Sequence, residues 1–488
     1  MAKKQTDSAW ETLLDLEEQA AGPLHNRLRR ALRSAIVNGR IAPGSALPPS
    51  RTLAVDLACS RWVVTEAYAQ LAAEGYLEAR SGSATRVRHG VAAAATRPTP
   101  PKPPRVPPRF DFAPGLPDLR AFPRKRWSDA IREAGLQVPF TDLSYLAPAG
   151  HPRLRRTLAG YLNRSRGTAT SAEDVTICGG TTDGLARIAR GLRERGFTHL
   201  AVEDPGWTWT REAIADAGLL PVPIGVDRDG LRVDLLRAQP EIRAAIVAPA
   251  HQFPTGVVLA PARRAELIRW AHDVDGIVLE EDKDADYRYD RRPVAAIQGM
   301  APSLTALLGS VSKTLSPALR IGWFVTPPRW TPAVAAANPL AVPPPVLDQL
   351  AFAHFLDSGG YDRHLRAGRR RYRARRDALL GELARRLPQA RVSGAAAGLH
   401  LLLHLDGVQA TRVVAAAARA GVRVDAVAGY ASDAETGDST VILGYGNLAD
   451  STIPEAVARL ADAIEAAARQ AGGPGTPPQE GLQLPEAD

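Results

Sequence analysis

The chain has 488 residues, 45% of them apolar, and a formal net charge of +9. That is too long for one ordinary core and too apolar for a disordered chain, so two or three folded domains are expected. No run of eighteen uncharged apolar residues is present and the start "MAKKQTDSAW" has no apolar stretch, which argues against a membrane span and a secretory leader. Only Cys59 and Cys178 occur, in different predicted domains, which excludes a disulfide framework and predicts a reducing, cytoplasmic setting.

The charge is unevenly spread. From Pro23 to Phe110, Lys and Arg outnumber Asp and Glu by 14 to 4, and the rest of the chain nearly cancels. Such a block suits an acidic partner such as nucleic acid, or a merely solvated basic face. "ATRPTPPKPPRVPPRF" holds seven prolines between Pro98 and Pro108 and no acid, so it reads as an extended, semi-stiff linker. The predicted divisions are a first domain over 12–90, the linker over 91–110, a large domain over 111–470 and a disordered tail over 471–488. No internal repeat is found.

In chain order, the first helix is predicted from about Pro23 to Asn38. Leu24, Leu28, Leu32 and Ile36 recur at helical spacing, and Asn38-Gly39 supplies the stop. A second helix is expected from Arg51 with Ser50 as its N-cap, and a third after a tight turn with Ser60 as its cap. Val64, Ala67, Tyr68 and Leu71 should face inward. Two short strands around Ser81-Gly82 complete a winged helix-turn-helix, whose third helix enters the major groove. Candidate DNA contacts are Arg51, Ser60, Arg61 and Trp62 at the helix starts, and Thr85, Arg86 and Arg88 on the wing. A helical dimerisation domain is the plainer alternative.

The segment "PLHNRLRRALRSAIVNGRIAPGSALPPSRTLAVDLACSRWVVTEAYAQLAAEGYLEARSGSATRV" resembles the DNA-binding domain of the GntR family of bacterial transcription regulators. It departs from that pattern at Trp62, Val63 and Ala84, residues at the groove-facing edge, which bears on operator sequence rather than on DNA binding.

Beyond the linker, short apolar runs alternate with helical patterns. "DVTICGG", "HLAVEDPG", "AAIVAPAHQFPTG" and "IVLEEDKD" read as strands of a largely parallel α/β sheet, with ligands expected at the carboxyl ends. "TICGGTTDGL" offers free amides and the hydroxyls of Thr181 and Thr182 to a phosphate. "SVSKTLSPALR" adds Ser310, Ser312, Lys313 and Arg320. An unpaired buried cation is costly, whereas an arginine fork beside a phosphate is paired. A desolvated lysine beside other cations becomes a nucleophile for aldehydes. Pyridoxal 5′-phosphate carries both an aldehyde and a phosphate, so Lys313 and Arg320 are expected to hold its two ends.

The motifs "SYLAPAGHPRLRRTLAGYLNRSRG", "VEDPGW", "PAHQFPTGVVL", "YRYDRRPVAAIQG" and "SKTLSPALRIGW" resemble the fold-type I aminotransferases. With the winged domain in front, residues 23–468 resemble the MocR subfamily of GntR regulators. The resemblance implies an α/β fold: a winged helix-turn-helix joined to a fold-type I pyridoxal-phosphate-dependent aminotransferase-like domain, with a large parallel-sheet part and a small C-terminal α/β subdomain. It also implies a Schiff base on Lys313, Arg320 on the phosphate and Trp207 stacked on the pyridine ring. Where the family reads "EDDYDSEFRY" this chain reads "EEDKDADYRY". Glu281 stands for the aspartate that pairs with the pyridinium nitrogen, and Lys283 for the tyrosine that donates to the ring hydroxyl. Both are expected to line the pocket. Either the cofactor binds with altered electronics, or Glu281 and Lys283 pair across a pocket that has left it behind.

Aminotransferases carry a C-terminal arginine for the substrate carboxylate, and "STVILGYGNL" has none; Arg423 reads as solvent-facing. The expected function is therefore a homodimeric transcription regulator, not an enzyme, that binds a double-stranded operator and senses an amino acid, an amine or a vitamin B6 form. The alternatives are a working aminotransferase with an appended DNA-binding domain, and a cofactor-free regulator.

Overall fold

Apolar spacing builds the first unit. Helix α1 (Leu24–Val37) buries Leu28, Ala31, Leu32, Ala35 and Ile36 along one stripe. It stops at Asn38, where Gly39 takes a left-handed turn at φ 71°. Helices α2 (Ser50–Asp56) and α3 (Arg61–Ala73) follow, and α3 turns Val64, Ala67, Tyr68 and Leu71 inward as expected. The Ser60 hydroxyl caps α3, accepting from the Val63 amide at 3.4 Å. Ser50 does not cap α2: it is the first helical residue, Pro49 holds the N-cap position, and no side chain caps it. Consecutive Pro48 and Pro49 keep the chain extended up to that point, which leaves proline at the boundary. Strands β1 (Leu77–Glu78) and β2 (Arg86–Val87) pair antiparallel, Leu77 opposite Val87. The wing's tip at Ser81-Gly82 lies outside the described residues.

In this computed structural model the described residues are 14, 22–78, 84–88, 107–282, 284–289, 294–433 and 436–471. Two units are distinguished, Met1–Val106 and Pro107–Asp488. Most of the predicted linker, its prolines up to Pro104 included, and the predicted tail past 471 fall outside the description. Phe110, the last residue of the predicted linker, already belongs to the second unit, in strand β3 (Phe110–Asp111).

The second unit is built on an eight-stranded sheet. Its strands are β4 (Val175–Cys178), β5 (His199–Asp204), β6 (Leu220–Asp227), β7 (Gly230–Leu231), β8 (Ala244–Val247), β9 (Ile277–Glu281), β10 (Thr305–Ser310) and β11 (Gly322–Val325), in the order 4-11-10-9-8-5-6-7. From β10 through β9, β8 and β5 to β6 the neighbours run parallel. Every residue of β8 and β9 is buried, as expected of strands covered on both faces. Helices α4 (Thr181–Glu194) and α5 (Thr208–Asp216) pack Leu185, Ile188 and Ile214 on the face presenting Val202, Ile246, Leu279 and Leu308. Helix α6 (Pro261–Asp273) packs Leu267 and Trp270 on the opposite face, against Ala245, Val247 and Val278. Side chains that alternate along a strand thus feed two separate cores.

A smaller four-stranded sheet joins β12 (Arg391–Ser393), β13 (His400–His404), β15 (Asp425–Ala426) and β16 (Thr440–Gly444) in the order 12-13-16-15. Helices α7 (Ala410–Arg419) and α8 (Ile453–Ala471) share its core. Strand β14 (Val422–Arg423) pairs in parallel with β3, tying residues 110–111 to this subdomain. Among the described residues no helix is long and apolar enough to cross a membrane.

Candidate functional site

In the first unit the predicted contacts gather where two helices begin. The Arg61 Nε donates to Ser50 Oγ at 3.3 Å, which draws the start of α3 to the start of α2. Arg51, Ser60, Arg61 and Trp62 are all exposed there. Trp62 is 62% exposed and meets His25 edge to face, at 5.3 Å between ring centroids. A large indole left in water on a basic surface is available to a partner. On the wing, Arg86 and Arg88 are exposed and Thr85 half-buried. Arg86 donates to the Gly44 carbonyl at 2.9 Å, and the Leu47 amide donates to the Thr85 carbonyl at 2.8 Å, so the start of β2 is tied to the 44–47 segment. Thr65, exposed on α3, was not singled out from sequence; it lies one turn beyond Arg61 and bonds that residue's carbonyl.

In the second unit a cavity opens at the carboxyl ends of β5, β8 and β9. Lys313, Trp207 and Glu281 line it together. The Lys313 Nζ donates to the Gly115 carbonyl at 2.7 Å and stands 5.0 Å from the Trp207 ring centroid. A Cβ at Gly115 would come within 2.4 Å of that Nζ, so only glycine leaves the amine its place. Alternation sorts Glu280 and Glu281, which end β9, and Asp282, which follows them. Glu280 accepts from the Gln298 amide at 2.9 Å, and Asp282 takes a two-pronged bond from buried Arg166 at 2.8 Å. Glu281, between them, faces the cavity. Lys283 lies outside the described residues.

The anion-binding candidates stand apart from that cavity's lining. Arg320 is exposed and lies against the Gly179-Gly180 turn: a Cβ at Gly179 would be 3.5 Å from its guanidinium. Gly322 is pressed so close that its own Cβ would meet the Gly180 Cα at 2.5 Å. Arg320 sits at φ 51°, a left-handed conformation that costs a non-glycine residue about 1–2 kcal/mol. Thr181 is buried at the start of α4, and Thr182 beside it is exposed. Ser310 lines a second cavity that Lys313 also touches, and the Ser312 amide reaches the Ser310 hydroxyl at 3.4 Å.

Sequence reasoning missed four polar groups around Lys313. Glu203 lines the cavity, accepts from the Ala248 amide at 3.1 Å, and is pushed up to about 8 by burial, with the Glu281 charge adding to it. His251 and His400 meet edge to face at 5.0 Å, and burial pushes them down to about 4 and about 3, so both are neutral at ordinary pH. The His400 Nε2 is 3.0 Å from the Pro254 carbonyl, which fixes that nitrogen as the donor. Both His251 ring nitrogens and one Asp284 oxygen are buried with no hydrogen-bond partner among the described residues. Phe253 stacks on Trp207, centroids 3.8 Å apart and planes within 11°.

The donor set suits pyridoxal phosphate. An amine, a carboxylate and a flat aromatic wall share one cavity, and a guanidinium faces a turn of bare glycines at a helix start, where amides point outward. Buried polar atoms without partners, at His251 and Asp284, are what a polar ligand would satisfy.

Comparison with known proteins agrees with this division. Residues 24–87 match the family of bacterial regulatory proteins, gntR family, and residues 117–460 match aminotransferase class I and II. The chain is 33% identical to the probable rhizopine catabolism regulatory protein MocR of Rhizobium meliloti, over 77% of this chain and 80% of that one. It is 30% identical to the HTH-type pyridoxine biosynthesis transcriptional regulator PdxR of Corynebacterium glutamicum, over 90% and 95%. Among solved structures it superposes on the kynurenine aminotransferase of Pyrococcus horikoshii with a TM-score of 0.66 at 25% identity, covering 73% of this chain and 91% of that one. An archaeal alanine:glyoxylate aminotransferase gives 0.68 at 24% identity, over 74% and 92%, which bears on fold alone.

Proposed function

The chain belongs to the GntR-family transcription regulators of the MocR type, and from that premise we propose that its second unit senses a small molecule through pyridoxal phosphate held at Lys313. It is a DNA-binding regulator; the sensing step, the cofactor and the dimer are the inference. The observation that carries it is the convergence of Lys313, Glu281 and Trp207 on one cavity at the strand ends.

In this reading Lys313 would hold the cofactor's aldehyde end and Glu281 would serve its ring nitrogen. Trp207 forms a flat wall, and Arg320 with the Gly179-Gly180 turn holds the phosphate. When bound, the cofactor would supply an electrophilic carbon for amines. The Gly115 carbonyl holds the Lys313 amine toward the cavity. We read the chain as a sensor rather than a transaminase, because β16 offers buried Val441 and Ile442 where aminotransferases carry an arginine. A dimer would present two winged heads to a repeated or palindromic operator, and an effector acts through its different affinity for two arrangements of those heads.

The cofactor-free reading draws on the Phe253 stack, which occupies part of the Trp207 ring with protein. Selection of operator duplexes from a random library, followed by anisotropy titrations with and without pyridoxal phosphate, separates the two. The proposal expects paired half-sites and an operator affinity that the cofactor changes. Single half-sites, or an affinity indifferent to cofactor and small amines, would contradict it.

A further inference from the structure

Alongside the Lys313 cavity lies an aromatic and acidic groove. Trp207 lines both that cavity and this open groove of about 820 Å3, solvent included. In the groove stand Trp209, Tyr430 and Asp425. Trp209 is 61% exposed, and its ring lies 5.4 Å from that of Trp207, tilted by 35°. Tyr430 meets Trp207 edge-on at 5.5 Å, and its hydroxyl donates to Asp425 at 2.7 Å, which orients the carboxylate. The wall toward β16 is apolar, because Ile442 is fully buried with Phe253, Leu402 and Val427.

The charges are one-sided. Glu281, Asp284 and Asp425 line the two spaces beside Glu203, which burial keeps protonated, and among the described residues Lys313 is the single cation that does. Neighbouring arginines are not in either lining, although Arg423 is near enough for its charge to act on the Tyr430 hydroxyl. Arg211 bonds Asp204 at 3.2 Å and the Tyr430 carbonyl at 2.9 Å, Arg288 reaches the Ala250 carbonyl, and Arg423 is exposed outside the lining. A ligand carboxylate would meet acids and rings, and among the described residues no guanidinium lines either space to receive it. An ammonium is welcome on the same rings: the Lys313 Nζ already stands 5.0 Å over Trp207, the geometry of a cation–π contact.

We propose that the effector is a primary amine with an apolar or aromatic body, no carboxylate, and a distal hydrogen-bond donor or second ammonium. Its amine enters the Lys313 cavity, its body lies along Trp209 and Tyr430, and its distal group meets Asp425. This rests on the sensing role proposed above and narrows the ligand class.

Two probe pairs differ mainly in the carboxylate: tyramine against L-tyrosine, and cadaverine against L-lysine. Calorimetric titration of the full-length protein, with and without added pyridoxal phosphate, should rank each amine at least tenfold tighter than its amino acid. Trp209→Ala and Asp425→Asn should each weaken the amines at least fivefold, with unchanged melting temperature showing that the exposed groove still folds. Amino acids that bind as tightly as the amines, amines that fail to bind at millimolar concentration, or variants without effect would overturn the proposal. Protein that takes up no pyridoxal phosphate would count against the cofactor, while the ranking on unloaded protein still decides the ligand class.

Discussion

The two units expose their chemistry in opposite ways. Around α2 and α3 the candidate contacts are surface residues on consecutive short elements, within about a dozen positions of one another: Arg51, Ser60, Arg61 and Trp62. Around Lys313 the contacts are buried or half-buried, and the chain brings them from Gly115, Glu203, His251, Glu281 and His400. A surface site of the first kind can lose one side chain and keep its fold. A convergent site of the second kind couples each side chain to burial, so a change there alters stability as well as binding.

The sharpest test of that coupling is Glu203→Gln. Native Glu203 holds its proton to about 8, against an ordinary 4.5. Between those values the native state binds a proton that the unfolded chain has lost, so the wild type loses stability as pH rises through the window. Glutamine can still accept from Ala248 and does not ionise. Its advantage should be near zero at pH 4 and grow to roughly 2–4 kcal/mol by pH 8, read as melting temperature against pH. A pH-independent difference would mean that Glu203 is not the buried acid described here.

Next in size is Arg320→Ala, which should weaken pyridoxal phosphate binding by about 1.5–3 kcal/mol, the range for hydrogen bonds to charged groups. Equilibrium dialysis reads it, and an unchanged affinity would separate Arg320 from the anion site. In the first unit Arg61→Ala should weaken the operator complex by about 1–3 kcal/mol, and cofactor uptake should not change. Loss of both properties in that one variant would break the contrast between the units. The smallest effect is Ser60→Ala, which removes the α3 cap and should cost about 1 kcal/mol of that unit's stability, seen by thermal melting. No change would make the 3.4 Å bond to Val63 negligible.

The same contrast explains what could be read from the sequence. Inward residues of α3 were legible because one helical period places Val64, Ala67, Tyr68 and Leu71 on one stripe. The parallel sheet was legible because β8 and β9 are short, wholly buried runs. The Ser50 cap was misread because a serine before a helix and a serine inside its first turn look alike without the geometry of Pro49. Lys313, Trp207 and Glu281 were expected to meet and do line one cavity, whereas Arg320 and Thr182 are exposed and outside its lining. His251, Asp284 and His400 escaped notice because no local period links a turn after β8, a loop after β9 and a strand of the other sheet. One signal was present: in "PAHQFPTG" a histidine and a glutamine interrupt the end of an apolar strand run, and Gly398 in "GLH" leaves the histidine ring room, since a Cβ there would come within 2.3 Å.

The account turns on which amine in the chain takes the cofactor. Borohydride reduction of full-length protein incubated with pyridoxal phosphate, followed by mass spectrometry of its peptides, reads this directly. One label per chain on the peptide containing Lys313, with none on the Lys313→Ala variant, is the predicted result. A label on Lys283 instead, or scattered substoichiometric labelling of surface lysines, would contradict the site.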